Sequence, residues 1–304
     1  MMTKRKNLIA GAALVGAAAL ALTGCAGSSD PETTSNAGSG SGADRPIEIA
    51  VFNGWDEGIA ASYLWQAVLE EQGYDVNLTY ADVAPVYQGV SQGDFDVVLD
   101  TWLPVTHADY MDQYGDSLED LGAWNDEAKL TIAVNEDAPI DSLSDLAANA
   151  DAFNNEIIGI EPGSGLMRIT ADDVVPGYGL EGMNLVESST PAMLTELRAA
   201  TDADENIVVT LWRPHWAYDA FPIKDLEDPD GLLGGAESIH SVASTSFATD
   251  FPDVHQWISN FTMDSATLYS LENAMFNEYE GDDYLPVVQE WISENQDWVD
   301  SLTS

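Results

Sequence analysis

Nine tryptophans are spread through the 304 residues, and three of them stand where an apolar run that reads as a strand comes to its end. Trp55 follows Val51-Phe52-Asn53-Gly54, Trp102 follows Val97-Val98-Leu99-Asp100-Thr101, and Trp212 follows Val208-Val209-Thr210-Leu211. An indole face carries negative quadrupole density. Several such faces around one point attract a quaternary ammonium, a cation that cannot form hydrogen bonds, at up to about 2 kcal/mol for each desolvated contact. The plainer alternative is that each indole caps the core of its own part of the fold, which is the expectation for Trp65, Trp257, Trp291 and Trp298 in helical patterns. Trp124, in Gly122-Ala123-Trp124-Asn125, falls in a predicted loop.

Two other stretches could do chemistry at a cation's far end. Glu161-Pro162-Gly163-Ser164-Gly165-Leu166 reads as a strand–turn–helix start. Free N–H groups at such a turn can hold a carboxylate without a cation, although a plain helix start explains the same residues. Its glycine spacing matches neither a hydrolase elbow nor a phosphate loop. Of the four histidines (107, 215, 240, 255), none falls in an HxxxH or HExxH pattern, so no metal site or cofactor is expected. His215, just after Trp212, could donate to a ligand carboxylate or merely brace its loop. No nucleophile, base and acid stand at recognisable spacing, so no catalytic residue is assigned and the chain reads as a non-enzyme.

The elements that must position these residues alternate. Strands are predicted at Ile47–Phe52, Val76–Tyr80, Phe95–Leu99 and Lys129–Val134, with helices at Glu57–Gln72 and Ala84–Ser91 between the first three. The pattern then restarts, with helices at Ser142–Phe153, Gly165–Val174 and Ala192–Thr201 and strands at Ile157–Ile160, Leu185–Glu187 and Ile207–Leu211. One more strand (Ile239–Ala243) precedes three helical stretches near 251–260, 264–278 and 284–301. Two α/β halves with a C-terminal return imply parallel strands whose carboxyl ends carry the ligand-facing loops. Pockets favour the interface between such halves.

The N-terminus reads as an address. Lys4-Arg5-Lys6 precedes an apolar stretch from Leu8 to Leu22 and then Thr23-Gly24-Cys25. That is short for a membrane span but suits a signal peptide over 1–24. Leu22-Thr23-Gly24-Cys25 looks like a lipoprotein box in which Cys25, the single cysteine, carries the lipid anchor. Residues 25–45 are rich in Gly, Ser and Asp and read as a flexible tether, leaving 46–304 as the folded body outside the cytoplasmic membrane. Removing the first 24 residues leaves six basic against 53 acidic residues. Such a surface repels phosphate backbones, which excludes a nucleic-acid binder.

Over most of 46–270 the chain resembles the substrate-binding proteins of ABC importers for glycine betaine, choline and related quaternary amines. The residues that carry the resemblance are NGWDEGIA (53–60), QGDFDVVLDTWLPVTH (92–107), IGIEPGSGLM (158–167), VVTLWRPHW (208–216), LEDPDG (226–231) and GAESIHSVA (235–243). The resemblance implies an α/β, two-lobed type II periplasmic-binding-protein fold with the cleft between lobes, lobe I at about 46–133 plus 240–304 and lobe II at about 134–239. It implies a trimethylammonium cage from Trp55, Trp102 and Trp212. The carboxylate would take the amides of Gly165 and Leu166, as in some members, or those near Gly58 and Ile59, as in others. Ser164 stands where some relatives have a cage Trp, and Met263 lies near where others have one. The partners implied are glycine betaine or a close analogue, a permease and an ATPase. The alternatives are a choline- or carnitine-specific receptor, a surface-anchored hydrolase and a sensor lipoprotein.

Overall fold

The computed structural model describes residues 44–281 and 283–304. The expected signal peptide, Cys25 and nearly all of the tether lie outside these residues.

β1 (Ile47–Phe52) is buried at five of six positions, as expected for a parallel strand covered on both faces. It leads through the Asn53-Gly54 turn into α1 (Asp56–Glu71), with Trp55 at the N-cap. β2 (Val76–Ala81), α2 (Val83–Gln92) and β3 (Val97–Leu103) complete the first β-α-β-α-β unit, in which β1 pairs in parallel with both β2 and β3. α3 (Ala108–Tyr114) then passes the chain to β4 (Leu118–Asn135), an 18-residue strand. The second half follows with α4 (Leu143–Leu146), a 3-10 stretch at Ala147–Phe153, β5 (Glu156–Ile158) and α5 (Gly165–Ile169). A π-turn at Thr170–Val174 carries α5 into α6 (Val175–Gly177), before β6 (Asn184–Val186), α7 (Thr190–Asp202) and β7 (Val208–Arg213). α8 (Ala217–Ala220) and β8 (Ile223–Asp225) lead to the returning strand β9 (Ala236–Ser244). The chain ends in α9 (Phe247–Asp250), α10 (Pro252–Ser259), α11 (Ser265–Glu272), α12 (Leu285–Glu294) and α13 (Gln296–Val299).

The strands form one sheet in the order β2-β1-β3-β9-β4-β7-β5-β6, with β8 on β4. The parallel halves flank a central antiparallel pair, β9 and β4. Three register shifts along that pair bend β4 as it runs from one half to the other. The expected lobe limits at 133/134 and 239/240 fall inside these two strands. The architecture is the two-lobed type II arrangement, and the carboxyl ends of β1, β3 and β7 converge where the halves meet.

Local patterns located the main strands and helices but not α3, α8, β8 or α9, and three readings need correction. Trp124 lies not in a loop but in β4, where its indole N–H donates to the Leu99 carbonyl at 2.7 Å and its ring stacks on Phe261. The bulges scramble the apolar alternation there, which is why only Lys129–Val134 read as strand. Residues 142–153 are α-helical for one turn only and 3-10 thereafter. Trp102 and Trp212 are the penultimate residues of their strands, which run on past the expected ends. Trp65 is fully buried and meets Phe261 edge-on, a core residue as expected.

Candidate ligand site

Trp55, Trp102 and Trp212 come from three elements and two halves of the sheet, yet all three are buried around one pocket. The empty space in the pocket, its open mouth included, is about 290 Å3. Leu130 and Ile160 complete its apolar wall. Every indole N–H of the cluster is tied to a carboxylate. Trp102 donates to Asp100 Oδ1 at 2.8 Å, Trp212 to Glu57 Oε2 at 2.9 Å, and Trp55 to Glu161 Oε2 at 3.4 Å. Trp216, behind Trp212, donates to Asp56 Oδ2 at 2.6 Å. With the N–H groups occupied, the three lining indoles offer the pocket carbon and π surface only, and the accepting carboxylates enrich that surface in electron density.

Three of these bonds join the halves. Glu57 and Asp56, in the first turn of α1, hold Trp212 and Trp216 at the end of β7 and in the turn after it. Glu161, after β5, holds Trp55 and also accepts from the Thr190 N–H and hydroxyl at 2.8 and 2.9 Å. The indoles are therefore gathered around the pocket only when the halves are together.

The same pocket also meets donors. Gly165 and Leu166 are the first two residues of α5, whose N–H groups have no acceptor within the helix. Ser164 caps that helix by accepting from the Met167 N–H. His107 also lines the pocket. Its Nδ1 accepts from the Trp102 N–H at 2.8 Å, which assigns the proton to Nε2, and Nε2 is buried without a partner. Its ring stacks on Trp55 at 5.5 Å, and burial holds its pKa down at about 3, so it is a neutral donor. Glu237, in β9, accepts from the N–H groups of Val105 and Thr106 and from the Thr106 hydroxyl, fixing the turn that carries His107.

The other expected donors lie elsewhere. His215 is buried behind the pocket, edge-on to Trp212 and stacked on Trp216, with Nδ1 accepting from the Ala217 N–H and Nε2 3.7 Å from Asp56. Gly58 and Ile59 sit in the first turn of α1 outside the lining, and the Ile59 N–H is already bonded to the Trp55 carbonyl. Met263 gives its N–H to the Trp124 carbonyl and takes no part in the pocket. His107 was missed in the sequence, though the signal was there. Trp102-Leu103-Pro104-Val105-Thr106-His107 and Trp212-Arg213-Pro214-His215 share a Trp-x-Pro start followed by a histidine, and only the second drew notice.

Around the indoles lie four buried carboxyl groups: Asp56, Glu57, Asp100 and Glu272. Burial pushes Asp56 up to about 7 and Glu57 up to about 8. Asp100 and Glu272 are raised well above the usual carboxylate range, by burial first and then by the neighbouring charge of Glu57. Among the described residues no group of His, Cys, Asp and Glu is arranged to hold a metal.

Residues 45–294 match the family described as the substrate binding domain of ABC-type glycine betaine transport systems, OpuAC. The glycine betaine/carnitine transport binding protein GbuC of Listeria monocytogenes is 33% identical over 171 residues, 54% of this chain and 55% of that protein. The match thus spans about half the length of this curated relative. Lactococcal OpuAC, solved closed with glycine betaine, superposes with a TM-score of 0.79 at 29% identity, covering 86% of this chain and all of that one. A choline-binding protein of an ABC transporter, solved with choline, gives a TM-score of 0.76 at 26% identity, covering 84% of this chain and 90% of that one. With a match over this much of its length, the chain belongs to the OpuAC family of substrate-binding domains of ABC-type glycine betaine transport systems.

Proposed function

We propose that this protein captures glycine betaine, or a close quaternary-ammonium analogue, and delivers it to the permease and ATPase of an importer. The observation that carries the reading is one small pocket lined by three indoles together with His107 and the first residues of α5. The trimethylammonium group would stack among Trp55, Trp102 and Trp212, where three desolvated contacts supply on the order of 5–6 kcal/mol before losses. The carboxylate would take the N–H groups of Gly165 and Leu166 together with His107 Nε2. Both ends draw on residues from the two halves, so the ligand stabilises the closed shape, and that difference in shape is what a permease can read. No bond is made or broken in this scheme, and none of these groups is assigned a catalytic role.

Choline is the second reading, because Glu57 lines the pocket and a carboxylate there suits a full cation. Calorimetric titration with glycine betaine, choline, carnitine and proline separates the two. Micromolar or tighter binding of glycine betaine in preference to choline supports the carboxylate-reading end. A preference for choline removes Gly165, Leu166 and His107 from that role, and binding of none of them overturns the reading.

A substrate-binding domain of such a system acts on the extracytoplasmic side of the membrane. Among the described residues no helix is long and apolar enough to cross a bilayer. Lipidation of Cys25 after removal of residues 1–24 would supply the attachment. Mass spectrometry of the membrane-extracted protein should find an acylated N-terminal Cys25, and an unprocessed N-terminus would dispose of the anchor.

A further inference from the structure

From the four buried carboxyl groups at the cage we infer that they are the ligand's counter-charge, and that a proton and the ligand's cation compete for them, so that binding releases protons. The inference rests on the quaternary-ammonium reading of the pocket.

The geometry comes first. Glu57 lines the pocket itself and holds Trp212, Asp100 holds Trp102, and Asp56 holds Trp216. The charge of Glu272 bears on both Glu57 and Asp56. Asp100 Oδ2 and both oxygens of Glu272 are buried with no hydrogen-bond partner, so the cluster holds more acceptor capacity than its donors fill. Among the described residues, no Lys or Arg pairs with any of the four.

The groups facing the cluster from each neighbouring element are likewise acidic or neutral. Glu161, after β5, and Tyr80, on β2, face Asp56, as does His215, which burial keeps neutral down to about pH 3. Tyr87, on α2, faces Asp100. Asp219, on α8, and Tyr269, on α11, face Glu272. Four carboxylates cannot all stay ionised in such a space without a cation, so the empty closed pocket carries protons. A trimethylammonium group against the indoles supplies a fixed positive charge. Each carboxyl it favours in ionised form gives up its proton to solvent.

The sign follows from linkage. The free protein holds the proton up to about pH 7–8, judged from Asp56 and Glu57, and the bound protein releases it at lower pH. Affinity therefore rises with pH through that window and levels off above it. Stability of the ligand-free protein runs the other way. Carboxyl groups whose folded pKa is raised contribute stability below about pH 4 that is lost as pH climbs through 7–8.

Titrating the purified protein with glycine betaine by calorimetry, in buffers of different ionisation enthalpy, counts the protons directly. We expect release of about 0.5–1 proton per ligand near pH 7.5, and a Kd roughly tenfold or more weaker at pH 6 than at pH 9. In melting curves the ligand-free midpoint should fall from pH 5 to pH 9 while the ligand-induced shift grows. Glu57→Gln keeps an acceptor for the Trp212 N–H, and its pH dependence should shrink. Binding with no proton release and a flat Kd overturns the inference, as does a Glu57→Gln variant with the full pH dependence. If no quaternary amine binds at any pH, the reading of the pocket itself falls instead.

Discussion

Trp212→Ala is expected to weaken glycine betaine binding by about 2–4 kcal/mol, roughly thirtyfold to a thousandfold, the largest loss among single changes in the cage. Two effects add. One cage wall is removed, and Glu57, which lines the pocket, loses the indole N–H that it accepts at 2.9 Å. A buried acceptor left without its donor costs on the order of 1–3 kcal/mol beyond the lost contact. Trp212→Phe separates the terms, since it keeps a π face and removes only the N–H, so its loss should be smaller than that of alanine. Trp102→Ala should lose about 2 kcal/mol for the same reasons, with Asp100 left unpartnered. Trp65→Ala is the control. That indole packs on Phe261, away from the pocket, so the change should lower the melting temperature and leave the affinity of the folded protein unchanged. Calorimetry on all four variants decides the matter, and near-wild-type affinity for both Trp102→Ala and Trp212→Ala would return these indoles to a core role.

Why the cage was legible in the sequence and its supports were not is a question of distance along the chain. Each cage Trp sits at the end of its own apolar run, a local feature that a short window detects. The strands β1, β3 and β7 were found for the same reason. β4 was cut short because its three register shifts break the alternation on which strand detection depends. Three of the four groups that hold the indole N–H atoms are remote, and the fourth, Asp100, is two positions from Trp102. Glu161 is 106 positions from Trp55, Glu57 is 155 from Trp212, and Asp56 is 160 from Trp216. In a chain with 53 acidic residues, nothing local tells the few that burial singles out from the many in water. The choice between His107 and His215 was equally hidden. Both follow a strand-end Trp and a proline, both have Nδ1 occupied by a backbone N–H, and both have an unpartnered Nε2. Only the packing of the two halves decides that His107 opens on the pocket while His215 lies behind it.

The same packing makes Gly165 the most sensitive small residue of the site. A Cβ there would run into the carbonyl oxygen of Thr106 and lie 2.6 Å from its Cγ2, closer than real Cβ contacts come. Thr106 cannot give way readily, because Glu237 accepts from its N–H and hydroxyl and from the Val105 N–H. Gly165→Ala leaves the N–H of residue 165 in place, so any effect is steric. The extra carbon must stop the halves about half an ångström to one ångström short of closure, and a gap of that size forfeits a quarter to a half of each van der Waals contact across it. Trp212 would then stand off from Trp55 and Trp102, and the donors of α5 from the ligand's carboxylate. We expect glycine betaine affinity to fall more than tenfold. The melting temperature without ligand should fall as well, since the same clash strains the closed halves. Gly182→Ala, where a Cβ meets nothing within 4 Å, should match the wild type in both measurements. If Gly165→Ala binds as the wild type does, then the loaded protein does not bring α5 against Thr106. The carboxylate end must in that case be sought away from Gly165 and Leu166, with the first turn of α1 the next place to look.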